Sequence, residues 1–221
     1  MSAFALKDLA EFVPILAQGA LVTIEVFVCG LIVATVLGLL WALMRVSGIP
    51  ALAGFSKALI NTIRGIPILV QLFFIYFVLP DVGIQMSAFQ AGFIGLGFAY
   101  SCYMAEVFRG GIEAVDPGQV EAAKSLGMSR IMTLWRVVLP QAFKIALAPT
   151  VGYMVQIIKG TSLAAIIGFA EVTRSGQIIN NATFQPLMVF SVVAAIYFLL
   201  CWPLSLLAAR MERRHSAALA H

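Results

Sequence analysis

The chain has 221 residues, 62% of them hydrophobic and 11% charged, with a mean hydropathy of +1.00 and a formal net charge of +4. A soluble domain carries about 25% charged residues, so this chain lacks the polar residues to cover a water-facing surface and its solvent is lipid. The positive charge follows membrane topology rather than a nucleic-acid footprint, and no nucleic-acid partner is expected.

In chain order, residues 1–16 carry Lys7, Asp8 and Glu11 and lack a basic start before an apolar core, so no cleavable signal peptide is expected. Five spans follow, at 21–44, 58–79, 86–108, 145–169 and 187–209. Each is near or above the ~20 residues a helix needs to cross about 30 Å of hydrocarbon. The expected fold is all-α and integral to the membrane, a single domain over 1–221 with one sizeable polar loop at 109–144. Cys29, Cys102 and Cys201 all lie in apolar runs without zinc-type spacing, and read as packing residues.

Lysine and arginine set the orientation. With the C-terminus inside, the inner segments hold Arg45, Lys57, Arg109, Lys124, Arg130, Arg136, Lys144, Arg210, Arg213 and Arg214, and the outer ones only Lys7 and Arg174. This bias puts the N-terminus outside and the 109–144 loop in the cytoplasm.

Within that loop, Asp116-Pro117-Gly118-Gln119 is a helix start: Asp caps free amides, Pro suits the first helical position, and Gln three residues on reaches back. Glu121, Ala122 and Ala123 fall in the helical run, which Gly127 ends in the left-handed region. Ser129 caps a second helix, 130–138, and Pro140 is expected to end it. Two small residues on the first helix permit close approach by a partner.

Charges inside spans cost about 2.5–3.5 kcal/mol each at the bilayer centre and are functional candidates. Four occur: Glu25, Arg64, Glu106 and Lys159. Arg64 precedes Gly65 and Pro67, which break the helix, and a broken helix at membrane depth lines a cavity or is buried in protein. Gln71 lies two turns on along the same face of a straight helix, and Arg64 can hold a carboxylate by a bidentate bond. Lys159, Gly160, Thr161 and Ser162 form a second interruption, placing a cation, a pliable backbone and two hydroxyls together. These six residues are the candidate substrate contacts; the bland alternatives are a snorkelling or ion-paired Arg64 and a kink with Lys159 paired to Glu106 or Glu25. Glu106 and Arg109, three apart, are expected to pair with each other. Glu25 reads as an interface residue.

The spacing Glu121-Ala122-Ala123, Gly127, Val137, Leu139-Pro140 resembles the signature of the integral membrane subunits of ATP-binding-cassette importers, with Val137 where isoleucine is usual. Segment 61–71, segment 105–112 and Lys159-Gly160-Thr161-Ser162-Leu163 are similar, in order, to motifs of the polar amino acid permeases of that superfamily. The resemblance implies a type I importer permease fold, a five-helix core working as a dimer with a second copy or a sister permease in the bacterial inner membrane. It further implies a coupling helix at Glu121, Ala122, Ala123 and Gly127, docked in a cytoplasmic ATPase, and delivery of substrate by a soluble amino-acid-binding protein. The chain has no G-x-x-x-x-G-K-[ST] sequence, so ATP and Mg belong to the partner ATPase, and no catalytic residue, metal or cofactor is assigned to this chain. Gly160 adds no carboxylate after Lys159, which favours acidic or neutral substrates unless Glu106 compensates. The rival readings are an ion-gradient-driven secondary transporter and a non-transporting assembly subunit.

Overall fold

The computed structural model describes residues 6–219, with side chains over 11–213. Lys7, Asp8 and Arg214 therefore have side chains outside the described residues. The order is α1 (Leu6–Val46), α2 (Pro50–Gly65), α3 (Ile68–Phe73), α4 (Ala88–Glu113), α5 (Pro117–Ser125), α6 (Arg130–Thr133), α7 (Leu139–Gly160), α8 (Val172–Thr183) and α9 (Pro186–Leu219), with no strand among the described residues. Four stretches are long and apolar enough to cross a bilayer: Glu11–Val46, Ala88–Glu113, Arg130–Ile167 and Pro186–Arg213. The bent pair Pro50–Gly65 and Ile68–Val82 supplies a fifth when counted as one crossing. The fold is an all-α, multi-pass membrane fold.

The second span departs from a straight helix over 58–79: it bends by 101° between α2 and α3. Ile66 sits in the extended region, at φ −102° and ψ 130°, as the residue before a proline tends to do. Beyond α3 the chain runs through a π-helical segment, Phe74–Val78, and a 3₁₀ turn, Leu79–Val82.

A second correction falls at Pro140. It does not end a helix over 130–138. Instead α6 passes into a π segment, Leu134–Val138, and Pro140 sits in the first turn of α7. Proline is tolerated there because the wider π turn before it already departs from the α register.

The core is built on α1 against α4. A Cβ added at Gly97 would lie 2.6 Å from the Val33 Cβ and 2.9 Å from the Gly30 carbonyl oxygen, so the backbones touch where Gly97 and Gly30 meet. Gly38 repeats this lower down, with Met104 and Ser101 as the atoms in the way. In lipid there is no hydrophobic drive between helices, and such small-residue contacts supply the packing. Val26, Leu72, Leu96, Met104 and Ile157 fill the centre. Trp41 donates to the Ser101 hydroxyl at 3.2 Å, and Ser56 donates to the Trp41 carbonyl at 2.8 Å, fixing α2 across α1 and α4. Cys102 and Cys201 are buried, Cys29 is half-buried, and all three are free thiols, in keeping with packing roles.

Candidate functional site

The polar loop folds as a capped hairpin. Asp116 accepts from the Gly118 amide at 2.7 Å, and Pro117 opens α5. A return bond from the Gln119 side chain is not among the described hydrogen bonds. Gly127 has φ +75°, its amide donates to the Lys124 carbonyl at 2.9 Å, and the Met128 amide donates to the Ala123 carbonyl at 3.1 Å. These two bonds make a Schellman turn. Ser129 then caps α6, accepting from the Met132 amide at 3.3 Å. The two alanines divide: Ala123 is buried at 4% exposure, while Ala122 is exposed beside Glu121. Around the tip, Leu126 is 82% exposed, Ile131 72% and Trp135 63%. Sequence reasoning named the alanines and missed these larger apolar groups, which read as ordinary members of capped helices.

At the first break, Pro67 has no amide for the Ile63 carbonyl four residues before it. The Ile66 amide reaches that carbonyl at 3.3 Å, and the Gln71 side-chain amide donates to it at 2.9 Å and to the Ile66 carbonyl at 2.8 Å. Gln71 is buried, and its Oε1 has no partner among the described residues. Arg64, in the last turn of α2, is not paired with an acid among the described residues; its guanidinium lies 5.1 Å from the centroid of the Tyr103 ring. Tyr103 lines a cavity of about 480 Å³ together with Ile68 of α3, Tyr100 of α4, and Pro149, Gly152, Tyr153 and Gln156 of α7. The Tyr100 hydroxyl donates to the Gln156 carbonyl at 2.9 Å and ties the two walls together. The tyrosines sit at helical spacing on two different spans. The residue types were visible in the sequence, but not that the two faces meet.

At the second break α7 ends at Gly160 and Thr161–Ile167 continues as a 3₁₀ turn. Thr161 is buried and donates to the Ile158 carbonyl at 2.7 Å, and Ser162 donates to the Lys159 carbonyl at 2.7 Å, so both hydroxyls serve the break itself. Gly160 approaches Tyr100: an added Cβ would lie 3.1 Å from its ring and hydroxyl. Lys159 is exposed and lines a smaller cavity of about 220 Å³ with Tyr197, Cys201 and Trp202 of α9. Arg64 and Lys159 are thus not brought into one cavity. Neither Glu106 nor Glu25 pairs with Lys159 among the described residues. Glu106 accepts from Arg109 at 2.7 Å and 3.0 Å and lies 3.8 Å from Arg45, while Arg109 also bonds Glu113.

One buried acid escaped the sequence reading. Glu171, fully buried, caps α8 by accepting from the amides of Thr173 at 2.9 Å and Arg174 at 2.8 Å, and accepts from the Tyr197 hydroxyl at 2.5 Å. Tyr197 also lies 3.4 Å from the Thr161 hydroxyl, so this cluster joins α8 and α9 to the second break. Its only sequence signal is an acid just before Val172, where a helix cap belongs. No group of three or more His, Cys, Asp or Glu among the described residues is placed to hold a metal ion.

Residues 34–216 match the family described as binding-protein-dependent transport system inner membrane component. The chain belongs to this family. It is therefore a membrane permease component of an ATP-binding-cassette transport system and not the subunit that hydrolyses ATP. This permease is 39% identical over 198 residues to a probable amino-acid ABC transporter permease protein, y4tG, of Sinorhizobium fredii, covering 90% of this chain and 84% of that one. It is 35% identical over 211 residues to the probable glutamine permease GlnP of Bacillus subtilis, covering 93% and 96%. Among solved structures it superposes on an amino acid ABC transporter crystallised with histidines at a TM-score of 0.88 and 36% identity, over 97% of this permease and 100% of that chain. The methionine transporter MetNI, at 18% identity and a TM-score of 0.71, shares the fold. Family membership carries association with an ATPase and a binding protein.

Proposed function

We propose that this permease imports polar amino acids across a bacterial inner membrane, with its N-terminus outside and the 109–144 loop and C-terminus in the cytoplasm. A soluble binding protein delivers the amino acid, and cytoplasmic ATPases drive the cycle through α5 and α6. Two permease chains, identical or sister, enclose the path. The observation that carries this reading is the hairpin tip. A Schellman turn at Gly127 holds Ala122 open beside Glu121, with Leu126 and Ile131 bare to solvent at 82% and 72% exposure. Apolar side chains held out on a rigid, capped turn in a polar loop suit a partner's cleft. The names of the relatives support the substrate class.

Arg64 and Lys159 are the cations placed to meet a permeating carboxylate, each beside a helix break. Gln71, Gly160, Thr161 and Ser162 act alongside them, the first by holding the break at Pro67 and the last two by holding the break at Gly160. The test is reconstitution of permease and ATPase in vesicles with the binding protein outside. ATP hydrolysis should rise when loaded receptor is added, and radiolabelled amino acid should accumulate. Arg64→Ala or Lys159→Ala should raise the substrate concentration for half-maximal uptake at least tenfold while the ATPase stays bound. Uptake that needs an ion gradient and no ATPase, or wild-type kinetics in both variants, overturns the reading.

A further inference from the structure

We infer that the groove between α1, α4 and the start of α7, at the hairpin end of the spans, holds an acyl chain of an acidic phospholipid whose phosphate meets Arg136 and Lys144. The inference needs only the membrane fold and not the identity of the transported solute.

The groove has a volume of about 410 Å³, within the ~300–1,000 Å³ of small-ligand sites. Thr35, Leu39 and Leu43 line it from α1, Phe108 from α4, Trp135 from the π segment and Phe143 from α7. Apart from the Trp135 indole, only Thr35 among its lining side chains carries a polar atom, and that hydroxyl is turned to the Met104 sulfur at 3.9 Å. A polar solute finds almost nothing to bond here, whereas a hydrocarbon chain needs no partner. Thr35 and Leu43 are eight residues apart, about 12 Å of helix, which is most of the ~15 Å depth of one leaflet's hydrocarbon. Leu39, Trp135 and Phe143 are exposed, as are Val36 and Leu40 beside Leu39, so the groove opens sideways onto the apolar surface that meets lipid.

Its polar end sets this groove apart from the rest of that surface. Trp135 is exposed, and its indole N–H makes no hydrogen bond among the described residues. An indole at the end of a span keeps its ring in hydrocarbon and offers its N–H to headgroups. Arg136 and Lys144 each follow a groove aromatic by one residue, and both are exposed. Side chains tilt towards the N-terminus of their helix, so Lys144 leans back towards Arg136. Arg130 stands at the α1 side of the hairpin, its guanidinium 4.0 Å from where a Cβ on Gly48 would be. None of these three cations pairs with an acid among the described residues, whereas Glu106 and Glu113 at the end of α4 are already held by Arg109. Unpaired cations beside an apolar groove and a free indole complement an anionic head joined to an apolar tail. A chain seated there ties α1 to the π segment that leads into α7.

The test places the permease–ATPase complex in nanodiscs of phosphatidylcholine. A minor fraction of the lipid carries bromine along its acyl chains, as either phosphatidylglycerol or phosphatidylcholine, and tryptophan fluorescence reports contact because bromine quenches an indole it touches. Brominated phosphatidylglycerol should quench at a mole fraction at least tenfold lower than brominated phosphatidylcholine. Trp135→Phe should remove that excess and leave the part due to Trp41 and Trp202. Arg136→Gln with Lys144→Gln should bring the two lipids together, and Arg136→Lys with Lys144→Arg should keep most of the preference. Leu39→Phe with Leu43→Phe narrows the groove without touching a charge, and should cut the excess at least fivefold while the complex stays assembled. Equal quenching by the two lipids in the unaltered complex means ordinary surrounding lipid and overturns the inference. No quenching of Trp135 by either lipid means that a protein surface, from a second permease copy or another subunit, covers the groove, and overturns it as well. An undiminished excess in the narrowed variant, or its complete loss on adding glycerol phosphate, means that the head binds without the tail and also sinks it. None of these readouts involves uptake, so failure here leaves the importer reading standing.

Discussion

Pro67 breaks the second span, and Gln71 repairs it. The Gln71 side-chain amide serves the Ile66 carbonyl, whose α-helical donor, the Val70 amide, turns instead to Pro67, and it shares the Ile63 carbonyl with the Ile66 amide. Unpaired buried polar groups cost about 1–3 kcal/mol each. Gln71→Leu should therefore lower the melting temperature of the purified permease by several degrees and impair uptake. An unchanged melting temperature would show that water or a neighbour serves the break instead. Gly127 makes a different demand. At φ +75° an L-residue pays about 1–2 kcal/mol, and a β-branched one more. Gly127→Val should leave the permease inserted but reduce the amount of ATPase that co-purifies with it. These two positions differ in how legible they were. Gly127, Ser129 and Asp116 act on amides within three residues, so the sequence alone places them. Gln71 was read as facing the same way as Arg64 because two turns of straight helix align them. The 101° bend removes that alignment, and nothing local announces its size.

The two π-helical segments share one cause. Phe74–Val78 ends at Leu79-Pro80 and Leu134–Val138 ends at Leu139-Pro140, and in each the leucine amide donates to the carbonyl five residues back, Phe74 and Leu134. The following proline has no amide to return the chain to α register, so the wider turn persists. Pro140→Ala supplies that amide, with the Arg136 carbonyl as its α partner. A return to α register turns α7 by about 100° relative to the hairpin, the angle of one residue. The variant should insert normally yet lose much of the ATPase stimulation by loaded receptor; a wild-type ratio of stimulated to basal hydrolysis would mean that this segment carries no register-dependent coupling. The α1–α4 contact is the opposite case, one of close fit. Gly97→Leu drives a side chain into Val33 and Gly30, and overpacking costs about 1–3 kcal/mol. Its melting temperature should fall, and shrinking Val33 to Ala should restore part of the loss. Helix existence was readable from apolar length. The π segments were not, because a Leu-Pro pair reads equally well as the end of one helix or the start of the next.

At the scale of the molecule, charge and architecture bear on the same question from different sides. The fold has four long spans and one bent pair, and an odd number of crossings puts the termini on opposite faces. The hairpin between α4 and α7 carries Lys124, Arg130 and Arg136, while the segment between α7 and α9 carries only Arg174 among its lysines and arginines. Positive loops stay on the cytoplasmic side, which supports the proposed orientation with the hairpin inside and α8 outside. Both faces offer exposed positions for a direct test: Ser129 at the hairpin turn and Asn181 near the end of α8. With Cys29, Cys102 and Cys201 replaced by Ala, a cysteine at 181 should react with an impermeant thiol reagent in spheroplasts, and one at 129 only after the membrane is opened. Labelling of position 129 from outside would reverse the chain, put the exposed Leu126 and Ile131 beyond the reach of any cytoplasmic ATPase, and end the coupling reading with it.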